Sequence, residues 1–193
     1  MRVLYRTAID MRIITGIARG KRLETLEGND VRPTPERVKE ALFSIIQFQI
    51  EGRRVLDLFA GSGQLGIEAL SRGAKQAVFV DASKKSLDVV RRNLEHSGLQ
   101  DYAQVHQMDF ESFLMREQGK FDLVFLDPPY RTGLLERALP LAAEKMNPGG
   151  TILCEHPVDE VLPECAGSFG LARSYRYGKI MLSTYQFKDV AAL

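Results

Sequence analysis

From Arg53 onward the apolar and polar positions of this chain switch period in a regular way. Short apolar runs at Arg54–Phe59, Ala77–Asp81, Ala103–Gln107, Phe121–Leu126 and Thr151–Glu155 have the length and density of strands buried on both faces. Between them, at about Gln64–Arg72, Ser83–Ser97, Phe110–Glu117 and Leu134–Met146, apolar residues recur with the spacing of helices buried on one side. This alternation predicts a parallel sheet with helices on both faces. After Pro157 the pattern changes. Leu171–Tyr177 and Lys179–Phe187 read as two strands turning at Gly178, an antiparallel hairpin at one edge. The expectation is an α/β, doubly wound, mostly parallel sheet of seven strands, the hairpin included.

Upstream, Arg12–Gly16 and Lys21–Leu23 are short β-like pieces separated by Gly16 and Gly20, which suits a small hairpin or arm. Pro33-Thr34-Pro35 then opens a helix running to about Gln47. Thr34 is placed to cap it with Pro35 in its first turn, and Val38, Ala41, Leu42, Ile45 and Ile46 form its apolar stripe. We therefore divide the chain into an N-terminal extension, 1–34, and a main domain, 35–193. Residues 1–10 precede a second methionine, Met11, and read equally as a native extension or as the product of an earlier start.

A chain of 193 residues can bury one full core, and 45% hydrophobic with 26% charged residues is ordinary for a globular domain. The net charge of +1 implies no global pull toward polyanions. Its distribution is uneven, with Arg12, Arg19, Lys21, Arg22, Arg32, Arg37 and Lys39 crowded near the N-terminus. Such a cluster is either a nucleic-acid contact or a solvated face. The two cysteines, Cys154 and Cys165, make no disulfide framework and fit a reduced, cytoplasmic setting. Cys154 and His156 are too few for a metal site, so no metal is expected. No apolar stretch reaches the ~20 residues that span a bilayer, and the N-terminus lacks the apolar core of a secretory signal.

Two clusters carry the chemistry. The first expected strand ends in Asp57-Leu58-Phe59-Ala60-Gly61-Ser62-Gly63-Gln64-Leu65-Gly66 and enters a helix. Gly61, Gly63 and Gly66 match G-x-G-x-x-G, and Asp81 ends the second strand where an acid reaches ribose hydroxyls. A nicotinamide-dependent dehydrogenase is thus one candidate. Asp57 argues against it: a carboxylate beside a pyrophosphate costs on the order of 4 kcal/mol per contact at ~4 Å, whereas a cationic nucleoside inverts the sign. S-adenosylmethionine, with a sulfonium, an ammonium and no phosphate, meets that requirement. Asp109, after the third strand, is placed either to hold an adenine amine or to cap the helix that follows. The second cluster is Asp127-Pro128-Pro129-Tyr130, directly after the fourth strand. Two prolines cannot continue a ladder, and they hold their predecessors extended. The result is a stiff corner presenting a carboxylate, bare carbonyls and a phenol, suited to gripping a planar amine at its edge and face.

In these two clusters the chain resembles the Rossmann-like S-adenosylmethionine-dependent methyltransferases that modify exocyclic amines. Arg32-Pro33-Thr34-Pro35-Glu36-Arg37-Val38-Lys39-Glu40-Ala41-Leu42-Phe43, Gly16–Leu23 and Tyr177-Gly178 narrow the resemblance to the RsmD family, which methylates guanine N2 in bacterial 16S rRNA. Gln64 departs from the small residue many relatives carry. The resemblance implies cofactor contacts by Asp57, Phe59, Gly61, Gly63, Asp81, Asp109 and Phe110, and a catalytic corner of Asp127, Pro128, Pro129 and Tyr130. It implies RNA contacts by Arg19, Lys21, Arg22, Arg32, Thr34 and Arg37, with 16S rRNA or an assembling small subunit as partner. A DNA adenine-N6 methyltransferase shares the corner, but the chain shows no separate target-recognition domain of the size sequence-specific DNA readers usually need. A binding-only RNA module would not need an intact cofactor motif.

Overall fold

The computed structural model describes residues 11–26 and 36–188. Arg32, Thr34 and the proline pair around Thr34 lie outside the described residues. Within them five α-helices and eight strands follow one another as α1 (Glu36–Ile45), β1 (Arg54–Asp57), α2 (Gln64–Ser71), β2 (Gln76–Asp81), α3 (Lys84–Ser97), β3 (Ala103–Gln107), α4 (Phe110–Arg116), β4 (Phe121–Leu126), α5 (Leu134–Ala143), β5 (Met146–Pro157), β6 (Cys165–Ala166), β7 (Phe169–Tyr177) and β8 (Ile180–Phe187). One sheet takes the order β3-β2-β1-β4-β5-β8-β7-β6. Its first five strands are parallel, and β8, β7 and β6 join antiparallel.

The alternating, doubly wound architecture is as expected, but the sheet has eight strands rather than seven. The extra one, β6, is two residues long and pairs with the start of β7, too short to leave a period in the sequence. Strand five also begins earlier than Thr151, at Met146, and shifts register opposite Phe121–Leu123, so α5 ends at Ala143 and not at Met146.

Alternate residues along each strand face opposite sides of the sheet, and the two cores divide accordingly. Val55, Ala77, Phe79, Leu123, Phe125 and Leu153 pack with α1, α2 and α3. Leu56, Val78, Val80, Val124, Leu126, Ile152 and Cys154 pack with α4 and α5. Because the α2 backbone lies directly on the sheet, position 66 must be glycine: a Cβ there would come within 2.3 Å of the Phe79 ring.

The N-terminal segment is held by a buried acid. Glu68, on α2, is fully buried and accepts hydrogen bonds from the Ile14 and Thr15 amides at 2.8 and 3.0 Å and from Arg72 Nε at 2.8 Å. Lys39 of α1, 1% exposed, lies 3.7 Å from the same carboxylate and donates to the Arg12 carbonyl at 2.6 Å. Burial pushes the Lys39 ammonium below its usual pKa, with Glu68 opposing that shift. Ser71 adds a bond to the Thr15 carbonyl and receives one from the Ala18 amide. One carboxylate thus ties the extension and α1 to α2. Glu68→Ala strands a buried ammonium and two amides, and is expected to cost about 3–5 kcal/mol, read as a lower midpoint in urea unfolding. An unchanged midpoint would contradict this account of the extension.

Candidate active site

The parity that sorts the two cores also sorts the acids at the carboxyl ends of the strands. Asp57 ends β1 and Asp81 ends β2, both at odd positions like Val55 and Phe79, hence on the α1–α3 side. Asp127 follows β4 with the parity of Leu123 and Phe125, and Glu155 lies in β5 with the parity of Leu153. Register sets the spacing: Asp57 is opposite Phe79 and Phe125, and Leu126 is opposite Cys154. Asp127, directly after the end of β4, and Glu155, directly after Cys154, therefore follow the last pair of that register. All four acids line one cavity of about 880 Å³, large enough for a nucleoside cofactor and a base.

The glycine turn forms one wall. Gly61 adopts φ +53° and Gly63 φ +79°, left-handed conformations that favour glycine. A Cβ at Gly63 would also press on Val90 and Ile67 at 3.2–3.3 Å. The turn is fixed from both sides: the Gly61 amide donates to Asp81 Oδ2 at 2.9 Å, and Asn93 Nδ2 donates to the Ser62 carbonyl at 2.9 Å. Asn93 also bonds both backbone groups of Glu24, which brings Thr25 and Leu26 to the cavity rim. Asp81 further accepts the Ser83 amide at 2.8 Å.

Asp57 is 2% exposed and accepts the Gly66 amide at 2.9 Å. Burial pushes its carboxyl up to about 7, the Gly66 bond opposing and Asp81 adding to the shift. Asp109 caps α4 by accepting the Ser112 amide at 2.8 Å, which holds its pKa below the usual range. It lines the cavity as well, so the residue that caps α4 also faces the cavity. Phe59 and Phe110 meet at a ring separation of 5.5 Å and supply an aromatic wall.

The Asp127–Tyr130 corner closes the opposite side. Pro128 is buried, Asp127 and Tyr130 are half-buried, and Pro129 is exposed. The Thr132 hydroxyl donates to the Pro129 carbonyl at 2.6 Å, and the Tyr130 hydroxyl to Glu155 Oε1 at 2.7 Å. Arg131 follows with φ +60°, a left-handed turn costing a non-glycine residue roughly 1–2 kcal/mol.

Asp57, Phe59, Gly61, Asp81, Asp109, Phe110, Asp127, Pro128, Pro129 and Tyr130 thus share one cavity, whereas Gly63 shapes the turn behind it. Arg19, Lys21, Arg22 and Arg37 do not line it. The Gly16–Gly20 turn packs on Ser71, the far end of α2, about 12 Å along that helix from the glycine turn. Lys21 Nζ is bonded to the His96 and Ser97 carbonyls at 3.2 and 3.0 Å, capping α3. Residues not anticipated at the site include Met11, Thr25, Leu26, Glu111, Arg137 and Glu155.

The described lining contains the six acids Asp57, Asp81, Asp109, Glu111, Asp127 and Glu155 and one cation, Arg137, which is paired to Glu111 at 2.6 Å. Such a lining favours a cation over a pyrophosphate. Gln64 Oε1 is buried on the same wall with no hydrogen-bond partner among the described residues, a place for an N–H donor. The donor set and the glycine cradle fit S-adenosylmethionine. Fold and site together define the class: an S-adenosylmethionine-dependent methyltransferase.

The family described as conserved hypothetical protein 95 matches residues 11–186. The ribosomal RNA small subunit methyltransferase D of Haemophilus influenzae is 39% identical over 158 residues, 79% of this chain and 82% of that protein. Its Escherichia coli K12 namesake is 34% identical over 178 residues, 91% and 89% of the two chains. Among solved structures, a hypothetical protein of Thermus thermophilus superposes with a TM-score of 0.78 at 32% identity, covering 91% of this chain and 99% of that one. The T. thermophilus 16S rRNA N2 G1207 methyltransferase RsmC, in complex with AdoMet and guanosine, shares the fold with a TM-score of 0.68 at 23% identity, over 84% of this chain and 45% of that one. The chain belongs to the RsmD family.

The raised Asp57 pKa makes the stability of the ligand-free protein depend on pH. An unfolded chain releases this proton near 3.8, and the folded chain keeps it to about 7. Folding therefore becomes less favourable as pH rises through that window, by a penalty on the order of 4 kcal/mol that is complete above the folded-state value. Asp57→Asn keeps an acceptor for Gly66 and removes the ionisation. Thermal unfolding is expected to show the variant more stable than the wild type at about pH 8, with the difference vanishing toward about pH 4. A pH-independent difference would contradict the assignment.

Proposed function

We propose that this protein transfers a methyl group from S-adenosylmethionine to the exocyclic N2 amine of a guanine in bacterial small-subunit (16S) rRNA. The observation that carries the reading is the adjacency of β1 and β4, which sets the acidic glycine-turn wall and the Asp127–Tyr130 corner on one cavity. Family membership supports the RNA: relatives that match this chain over most of their length are named ribosomal RNA small subunit methyltransferases.

In this reading Asp81 holds the ribose hydroxyls, Asp109 and the Phe59–Phe110 wall hold the adenine, and Asp57 with the Gly61 turn holds the methionyl end. S-adenosylmethionine, when bound, supplies a methyl group already activated on a sulfonium. The residues must then make a poor nucleophile attack, because the guanine amine delocalises its lone pair into the ring. Asp127 and the Pro128 carbonyl accept the two N–H bonds, which draws the nitrogen toward tetrahedral geometry and points its lone pair into the cavity. This is positioning and electrostatic catalysis, and no strong general base is required. Asp127 takes the surplus proton or passes it to water. Tyr130 stacks on the base, a contact worth ~1–3 kcal/mol in comparable cases, and the base must leave its helix to reach it. The near-neutral net charge of +1 favours an assembling particle over naked RNA, with ribosomal proteins supplying part of the binding surface. An rRNA substrate places the reaction in the cytoplasm. No helix among the described residues is long and apolar enough to cross a membrane.

The test is methyl transfer from radiolabelled S-adenosylmethionine to small subunits, naked rRNA and duplex DNA in parallel, followed by nucleoside identification. Label in N2-methylguanosine, strongest with the particle, is the expected result. Label confined to N6-methyladenine would overturn the proposal.

A further inference from the structure

Glu155 takes no part in the mechanism above, yet it is 4% exposed, lines the cavity and holds the Tyr130 hydroxyl at 2.7 Å. Leu126 pairs with Cys154 at the end of the β4–β5 register, so Asp127, just past β4, and Glu155, the residue after Cys154, emerge side by side and line the same cavity. A base whose amine is held by Asp127 and Pro128 and whose face lies on Tyr130 must point the rest of its pairing edge somewhere along the corner. Glu155, held to the Tyr130 hydroxyl and lining the same cavity as Asp127, is a carboxylate on that side of the corner.

Guanine and adenine differ on that edge. Guanine carries an N1–H donor beside its N2 amine, whereas adenine N1 is an acceptor. A carboxylate accepts several hydrogen bonds at once, so holding Tyr130 does not exhaust Glu155. Facing it, guanine N1–H forms a charge-assisted bond, while an acceptor nitrogen there meets repulsion with both groups desolvated. We propose that Glu155 is the specificity-determining residue of this corner: it reads guanine N1–H and orients the Tyr130 ring at the same time. The inference rests on the guanine-N2 reading above.

The experiment measures dissociation constants of guanosine and of 2-aminopurine riboside for the protein saturated with S-adenosylhomocysteine, by ligand-observed NMR. The second nucleoside keeps the amine and lacks N1–H. The wild type is expected to prefer guanosine by about 10- to 100-fold, the worth of one hydrogen bond to a charged group. Glu155→Gln should bring that ratio close to one. Tyr130→Phe should weaken both nucleosides and keep the ratio, since Glu155 remains. A ratio near one in the wild type, or a preference that survives Glu155→Gln, would overturn the inference. If Tyr130→Phe abolishes the preference as fully as Glu155→Gln does, Glu155 acts only through Tyr130 and the reading of N1–H is lost. Failure of the guanine-N2 reading is seen separately, as wild-type protein that labels small subunits on another base.

Discussion

The position of β1 between β2 and β4 is the constraint from which the site follows. Parallel strands must all end on the same edge of the sheet, so the connections leaving β1, β2 and β4 emerge side by side. Ligand sites of open α/β sheets form where the strand order reverses, in the crevice beyond the carboxyl ends. Here the order runs outward from β1 through β2 and β3 on one side and through β4 and β5 on the other. The glycine turn and the proline corner, distant in sequence, become opposite walls of one cavity for that reason. Parity then aims the acids: Asp57, Asp81, Asp127 and Glu155 sit on the face that α2 and α3 leave open beyond their ends.

A second buried carboxylate keeps that crevice in shape from behind. Glu68 collects two amides of the N-terminal segment, Arg72 and the Lys39 ammonium. The segment then runs along α3, where Asn93 passes it to the glycine turn. Structural and cavity-lining acids in this protein differ by what surrounds them. Glu68 is matched by cations and amides, whereas burial, with Asp81 adding a little, raises the Asp57 carboxyl to about 7 against the pull of its Gly66 bond. A mismatch of that kind marks a place where a cation belongs.

Much of this is legible in the chain. Five buried runs separated by helical stretches impose a parallel sheet, and acids at strand ends in Asp57, Asp81 and Asp127 face the crevice by topology alone. Glu155 obeys the same rule but escapes notice in the sequence, because strand five has no turn motif after it to draw attention. The strand β6 is invisible there because two residues carry no period. Lys21 and Lys39 count as part of a basic face by composition, but one caps α3 and the other is buried against Glu68. Charge in a sequence says nothing of which cations the fold consumes internally. Asp109 stands between capping and holding an adenine amine in the sequence; in the fold it caps α4 and also lines the cavity.

In the proposed mechanism, activation of the amine and holding of the cofactor belong to different strand ends, and one pair of measurements on Asp127→Ala tests that division. Calorimetry should give a dissociation constant for S-adenosylmethionine within about threefold of the wild type, less than about 1 kcal/mol. Single-turnover methylation of small subunits by the same variant should fall by roughly a hundredfold or more, as expected when a group acting on the transition state is removed. Undiminished methylation, or a loss of turnover matched by an equal loss of cofactor affinity, would contradict the account.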